Sequence, residues 1–281
     1  MSYQPGRAAA FVLGSALMFA LTGAAVKAAS AQLPHLEVVF FRSFFGLVGL
    51  LPWVARHGLR GMATRRPGLH LVRAGAGLAA MVGFFYALAH LELATAVLLN
   101  YSAPLFIPFI AAVWLGEPLR RALLWAVVIG FAGIALILKP GWAALSPAAL
   151  AGLSAGVLAA VAFVAVRRLH STEPTTRIVF YFGVLSTVLS ALPLPWLWVM
   201  PSPAIWALVI AMGASATGGQ LLLTHAYSLA PAAQVGPFMY SVVVFSAGLG
   251  WAVWGEMPDT WSALGTGLVV AAGVLAIRLR H

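Results

Sequence analysis

An all-α integral membrane protein of ten transmembrane helices, with no soluble domain attached, is what this sequence predicts. Hydrophobic residues fill 62% of its 281 positions and charged residues only 8%, too little polar surface to cover a water-soluble fold. Apolar windows recur along the whole chain, and the basic residues gather on one side of them. Lipid is therefore the solvent that this composition requires.

A spanning helix needs roughly 20 apolar residues, so ten of them use about 200 residues and leave only short connections. Windows between charged or Pro-rich breaks predict helices over 8–29, 36–55, 70–90, 94–115, 120–138, 148–168, 177–195, 204–228, 231–254 and 260–278. The first window carries a decoy, because Arg7, an apolar run and Ala29-Ser30-Ala31 resemble a signal peptide with its cleavage site. The run from Ala8 to Val26 is longer than an ordinary signal core and is followed by Lys27, so it reads as the first span. The shortest joints, Gly116-Glu117-Pro118 and Ala230-Pro231, predict tight turns.

The formal net charge of +10 does not point to nucleic acid, whose partners cluster basic residues with aromatics on a wettable surface. With the N-terminus cytoplasmic, the inner side collects Arg7, Arg56, Arg60, Arg65, Arg66, Arg73, Arg120, Arg121, Arg167, Arg168, Arg177, Arg278 and Arg280. The outer side receives Lys139, while Lys27 and Arg42 fall inside spans. That asymmetry is the positive-inside pattern, and it predicts a multi-pass protein of a bacterial inner membrane with both termini cytoplasmic. Four of the six acids (Glu37, Glu92, Glu256 and Asp259) fall on the outer side. The chain has no cysteine, which excludes a disulfide framework, a thiolate zinc site and a thiol nucleophile.

The two halves resemble each other. Leu105-Phe106 through Trp114-Leu115-Gly116-Glu117 lines up with Val244-Phe245 through Val253-Trp254-Gly255-Glu256 at an offset of 139, and Lys27 lines up with Arg168 at 141. Five spans per half is an odd number, so the second copy enters the membrane in the opposite sense. Two inverted five-helix repeats, 1–140 and 141–281, are the predicted domains, arranged around a central cavity near the bilayer midplane.

The two Gly-Glu endings, the Leu93-Ala94-Thr95-Ala96 opening and the stretches Leu229-Ala230-Pro231-Ala232-Ala233, Pro237-Phe238-Met239-Tyr240 and Trp254-Gly255-Glu256-Met257-Pro258-Asp259 resemble the EamA-like drug/metabolite transporters. The likeness covers essentially the whole chain, and within that superfamily the chain is most similar to the bacterial aromatic amino-acid exporters. The resemblance implies ten helices around a cavity lined by the first, third, fourth, sixth, eighth and ninth spans. It also implies export of small organic solutes such as amino acids, metabolites, amines or drugs. The Gly-Glu pairs, lying at helix ends, read as structural signatures and not as substrate ligands.

Candidate binding residues come from polar groups at helical spacing. On the eighth span Thr217, Gln220, Thr224 and Tyr227 recur on one face; the alternative is hydrogen bonding between helices, worth around 0.6 kcal/mol each. On the fourth, Asn100, Tyr101 and Ser102 precede Pro104 and Pro108, prolines that free backbone carbonyls and suit a hinge or a static kink closed by Ser102. Pro237 with Tyr240 and Ser241 repeats that chemistry on the ninth span. Phe84, Phe85 and Tyr86 on the third offer stacking faces, and Gly75, Ala79 and Gly83 there, like Gly152 and Gly156 on the sixth, form ridges for close helix contact.

Three residues carry intramembrane charge or a titratable ring. Arg42 lies about 9 Å into the second span, too deep to ignore, with pairing to Glu37 or bonds to helix-end carbonyls as its structural alternative. Lys27 sits nearer the outer surface, where its head can snorkel. His225, inside the eighth span, has a reference pKa suited to proton coupling but lies about 100° off the polar stripe.

Enzyme chemistry is poorly served. Gly213-Ala214-Ser215-Ala216 resembles the serine motif of rhomboid proteases, but Ser215 and His225 are ten residues apart on one helix, about 15 Å, far from hydrogen-bond reach. No His-Glu zinc spacing and no phosphate loop occurs, so neither metal nor cofactor is expected. A channel is disfavoured because two inverted halves supply two gates within one chain. The expected partners are an amino acid or similar small solute and membrane lipid, with no nucleic acid and no obligate protein. With no carboxylate at the midplane, facilitated diffusion or export down a gradient is expected, His225 being the alternative coupling residue. A site without strong fixed charge suits a neutral or zwitterionic solute, its side chain against Tyr86 or Tyr101.

Overall fold

The structure is a computed structural model that describes residues 4–58, 62–116, 121–138, 146–169, 171–229 and 236–278. Glu117, Pro118, Lys139 and the Ala230-Pro231 joint lie outside the described residues, as do the side chains of Thr224, Tyr227 and Pro237.

The described chain is helical, without strands. The first half contains α1 (Pro5–Ala29), α2 (His35–Val48), α3 (Leu51–His57), α4 (Pro67–His90), α5 (Leu93–Asn100), α6 (Ala103–Leu115) and α7 (Arg121–Leu138). The second contains α8 (Pro147–Leu169), α9 (Thr175–Ala191), α10 (Leu194–Leu197), α11 (Pro203–Leu229), a 3₁₀ turn at Gly236–Tyr240, α12 (Ser241–Trp254) and α13 (Thr260–Arg278).

Five described segments are long and apolar enough to cross a membrane: Gly6–Ala29, Pro67–His90, Leu93–Leu115, Pro147–Val166 and Pro203–Leu223. Shorter apolar helices occupy the remaining windows or parts of them. The second window is split where Pro52, in the first turn of α3, lacks the N–H that would continue α2. The fourth bends between α5 and α6 for the same reason at Pro104. There Ser102 donates its hydroxyl to the Leu99 carbonyl at 2.5 Å, closing the break, while Pro108 sits inside α6.

Two helices stop in the same way. Gly116 after α6 and Gly255 after α12 have φ of 69° and 70°, the left-handed cap that glycine adopts without a Cβ clash. Both helix ends read from the Gly-Glu pairs therefore close on the same glycine cap.

Small residues set how the helices pair. A Cβ on Gly83 of α4 would stand 2.9 Å from the Ala151 carbonyl of α8, and one on Gly156 would stand 2.5 Å from the Ser102 hydroxyl and 2.8 Å from the Leu99 carbonyl. Only hydrogen fits there. The predicted ridge is partly so used, since Gly75 has nothing within 4 Å. Glycines also join α7 to α13, where a Cβ on Gly133 would come 2.7 Å from the Gly265 carbonyl and one on Gly265 would come 2.6 Å from that of Gly133. On α1, Ser15 donates to the Gly219 carbonyl of α11 at 2.7 Å, and Thr22 meets Ser215 at 3.0 Å. The main pairings are α1 with α11, α4 with α8, α7 with α13, α2 with α9, α1 with α12, and α8 with α6.

Candidate functional site

Between these helices lies a cavity of about 280 Å³. Phe19, Thr22, Gly23 and Val26 of α1 line one side, and α4 supplies Arg73, Gly77, Ala80, Met81, Phe84 and Phe85. Asn100 and Tyr101 enter where α5 breaks into α6, and Ala159, Ala162 and Phe163 come from α8. Arg42 of α2, Phe182 of α9, Ala216 of α11 and Val242 of α12 complete the wall. The pairing of α7 with α13 stands outside it.

Two arginines therefore face one space, and no acid is among its described lining residues. The expectation of a site without strong fixed charge is corrected by this. Arg42 does not pair with Glu37, whose Oε2 instead accepts the Val199 N–H at 3.1 Å. Arg73, read from the sequence as an inner-surface charge, lies six residues into α4 with its guanidinium carbon 4.1 Å from the Phe182 ring centroid. Its Nε has no hydrogen-bond partner. Sequence reasoning missed it because the charge was counted for topology. The available signal was its phase: Arg73, Gly77, Ala80 and Phe84 recur at i, i+4, i+7 and i+11, one face of α4.

One end of the cavity is latched. Immediately beyond Val26, Lys27 pairs with Glu256 and donates to the Leu91 carbonyl at 2.6 Å. Glu256 also accepts the Leu93 N–H at 2.8 Å, so one ion pair ties α1, the start of α5 and the end of α12. The Lys27 ammonium lies 5.5 Å from the Trp254 ring centroid. The Arg168 guanidinium carbon lies 5.8 Å from the Trp114 ring centroid.

A second polar cluster sits at the other end of α4. Glu173, between α8 and α9, accepts the Thr64 hydroxyl at 2.6 Å and pairs with Arg177. Burial pushes its carboxyl up, but these donors outweigh burial and hold it below the usual 4.5. Nearby, the His70 ring packs 4.4 Å from that of Tyr181.

Of the predicted binding residues, Asn100 and Tyr101 line the cavity. Thr217 does not; its side chain packs against Gly49 at the end of α2, and Gln220 points outward, exposed. Of α11 it is Ala216 that reaches the cavity wall, while α1 covers the helix at Ser215 and Gly219. Tyr86 lies beyond the cavity with its ring 4.3 Å from His90 and 5.2 Å from His35. Tyr240 is buried between helices, 5% exposed. His225 is exposed, its ring edge-on to Phe11 at 4.7 Å, well separated from Ser215, which bonds Met212 and Thr22.

An apolar helical bundle enclosing a solute-sized cavity is the architecture of a membrane transporter. The chain belongs to the EamA-like transporter family, whose model matches residues 6–139 and again 146–278. It is 38% identical over 267 residues to the pseudopaline exporter CntI of Pseudomonas aeruginosa, covering 93% of each chain. It is 28% identical to the S-adenosylmethionine uptake transporter of Rickettsia felis, over 88% of this chain and 84% of that one. It is also 28% identical to the riboflavin transporter of Vibrio cholerae, over 96% and 92%. A crystal structure with 24% sequence identity superposes with a TM-score of 0.69 over 99% of this chain and all of its own, supporting the fold.

Proposed function

We propose that the chain is a secondary transporter that exports small organic solutes, amino acids among them, across the bacterial inner membrane by alternating access. The observation that carries this reading is a cavity walled by helices of both halves and latched at one end by Lys27 and Glu256. In this reading the chain crosses ten times as two inverted five-helix repeats, 1–140 and 141–281, with both termini cytoplasmic. Support comes from the family model matching twice and from the exchanged pairings: α1 with α11 answers α8 with α4, and α1 with α12 answers α8 with α6.

The mechanism follows from the same parts. The latch seals the outer end, and the breaks at Pro104 and at the 3₁₀ turn holding Pro237 are the hinges about which one gate opens as the other closes. A solute carboxylate meets the arginines while its side chain lies against Phe84, Phe85 or Tyr101. No carboxylate or histidine is among the described lining residues, so transport runs down the solute gradient without a proton carried by the cavity.

Relatives named for pseudopaline, S-adenosylmethionine and riboflavin favour a second reading, in which the cargo is a metabolite other than an amino acid. Counterflow in proteoliposomes with amino acids, nucleosides and amines separates the two. Saturable exchange that falls at least fivefold in Tyr101→Ala and Asn100→Ala, at unchanged expression, is expected. Flux rising linearly with solute, or untouched by both substitutions, refutes a carrier with this site.

A further inference from the structure

The fold itself gives no reason for the charge of the cavity. Arg42 enters from α2 and Arg73 from α4, with no acid among the described lining residues, and their like charges repel each other. Glu37, on the same helix as Arg42, accepts the Val199 N–H at Oε2, and its buried Oε1 receives no hydrogen bond from Arg42 or any other described group. Arg73 is held by packing, between the Phe182 ring and the space left by the missing side chain of Gly77, with its Nε facing no acceptor. An arginine within a membrane is costly, is ordinarily paired, and marks a solute or ion path. Two of them facing one space leave a double positive charge for the cargo to neutralise.

The shape of the donors says what neutralises it. Each guanidinium presents N–H groups in a planar fork that matches a carboxylate through two parallel bonds. A phosphomonoester spreads three acceptor oxygens and asks for further donors, which the remaining polar lining barely supplies. Thr22 already donates to the Met18 carbonyl or meets Ser215, and Asn100 and Tyr101 complete the polar lining. Size is set by the volume of about 280 Å³, room for roughly nine waters at about 30 Å³ each, or a solute on the order of ten to fifteen non-hydrogen atoms. The rest of the wall, with Phe84, Phe85 and Met81, is apolar.

We propose that Arg42 and Arg73 form a paired-carboxylate site and that the cargo is a small organic diacid with an apolar or aromatic skeleton. This rests on the carrier reading above and narrows its substrate class. A zwitterion with one carboxylate satisfies one arginine and brings its ammonium near the other, so diacids outrank ordinary amino acids.

The test is a titration of the purified full-length protein in lipid nanodiscs with benzylsuccinate, its monoamide and its diamide, followed by calorimetry. The diacid is expected to bind at least tenfold more tightly than the monoamide, and the monoamide more tightly than the diamide. Arg42→Gln and Arg73→Gln each bring the diacid down to the affinity of the monoamide, while the lysine replacements keep part of the preference. Equal binding of diacid and diamide by the unmodified protein overturns the proposal, as does absence of diacid binding at millimolar concentration. Full preference retained by both glutamine variants overturns it too; the congener series on the unmodified protein stands whether or not those variants fold. Counterflow of benzylsuccinate in proteoliposomes keeps the two claims apart. Arginine-dependent binding without exchange supports the diacid site and removes the carrier reading. Saturable exchange of neutral solutes that ignores both arginines, without diacid preference, overturns the diacid site and leaves the carrier.

Discussion

Replacing Glu256 by glutamine removes the charge of the latch and little else. The amide oxygen still accepts the Leu93 N–H, now 2.8 Å from Oε2, while the Lys27 ammonium loses its counter-charge. Both side chains are largely withdrawn from solvent, 12% exposed for Lys27 and 18% for Glu256. Breaking a fully buried pair costs about 3–5 kcal/mol, and a hydrogen bond to a charged group contributes about 1.5–3 kcal/mol. About 2 kcal/mol is the fitting magnitude for this partly exposed pair. At 1.4 kcal/mol per factor of ten, the closed state loses about 25-fold against the open one. The absence of cysteine makes the assay clean. Val26→Cys places one thiol in the cavity wall directly beneath the latch, at a position that is 0% exposed. A membrane-impermeant thiol reagent added outside right-side-out vesicles should label it about 25-fold faster in Glu256→Gln. Lys27→Met should act in the same direction, and the double variant should open less than the two singles combined, because no unpaired charge remains. Labelling within twofold of the parent in both single variants refutes the gate.

Other consequences are simpler. Gly116→Ala and Gly255→Ala force a Cβ into left-handed backbone at about 1–2 kcal/mol each, so thermal unfolding should begin a few degrees lower, with asparagine recovering part of the loss. Gly83→Ala drives a Cβ to 2.9 Å from the Ala151 carbonyl, whereas Gly75→Ala meets nothing. The first should destabilise by about 1–3 kcal/mol and the second should be neutral or stabilising by about 0.5–1 kcal/mol, as read by melting in detergent. Glu173 has a carboxyl held below 4.5 in the folded state, so its stabilising effect is fully present above pH 4.5 and is lost as pH falls through the depressed folded value. Acid should therefore lower the melting temperature of the parent more steeply than that of Glu173→Gln; parallel curves refute this assignment.

Much of the helical framework was legible because periodicity and composition are local properties. Each proline and glycine that ends or breaks a helix, Pro52, Pro104, Gly116 and Gly255 among them, acts on its own neighbours through a missing N–H or a missing Cβ. The site was legible only in part. Asn100 and Tyr101 announced themselves beside a proline break, but Thr217 and Gln220 form a polar face that helix phase alone cannot direct toward the cavity. Arg73 was hidden because the same charge serves equally as a topological marker until α2 and α9 are placed beside it.

By itself the sequence determined that this chain lives in lipid as helices, belongs among EamA-like transporters and ends two helices at Gly-Glu. Those features follow from transfer energies and backbone sterics that need no distant partner. Tertiary structure alone decided that Lys27 meets Glu256, 229 residues away, and that Arg42 and Arg73 face one space with no acid among its described lining residues. Such juxtapositions depend on how far each helix is rotated and how closely its glycines let the next approach, quantities that arise only when the whole bundle packs.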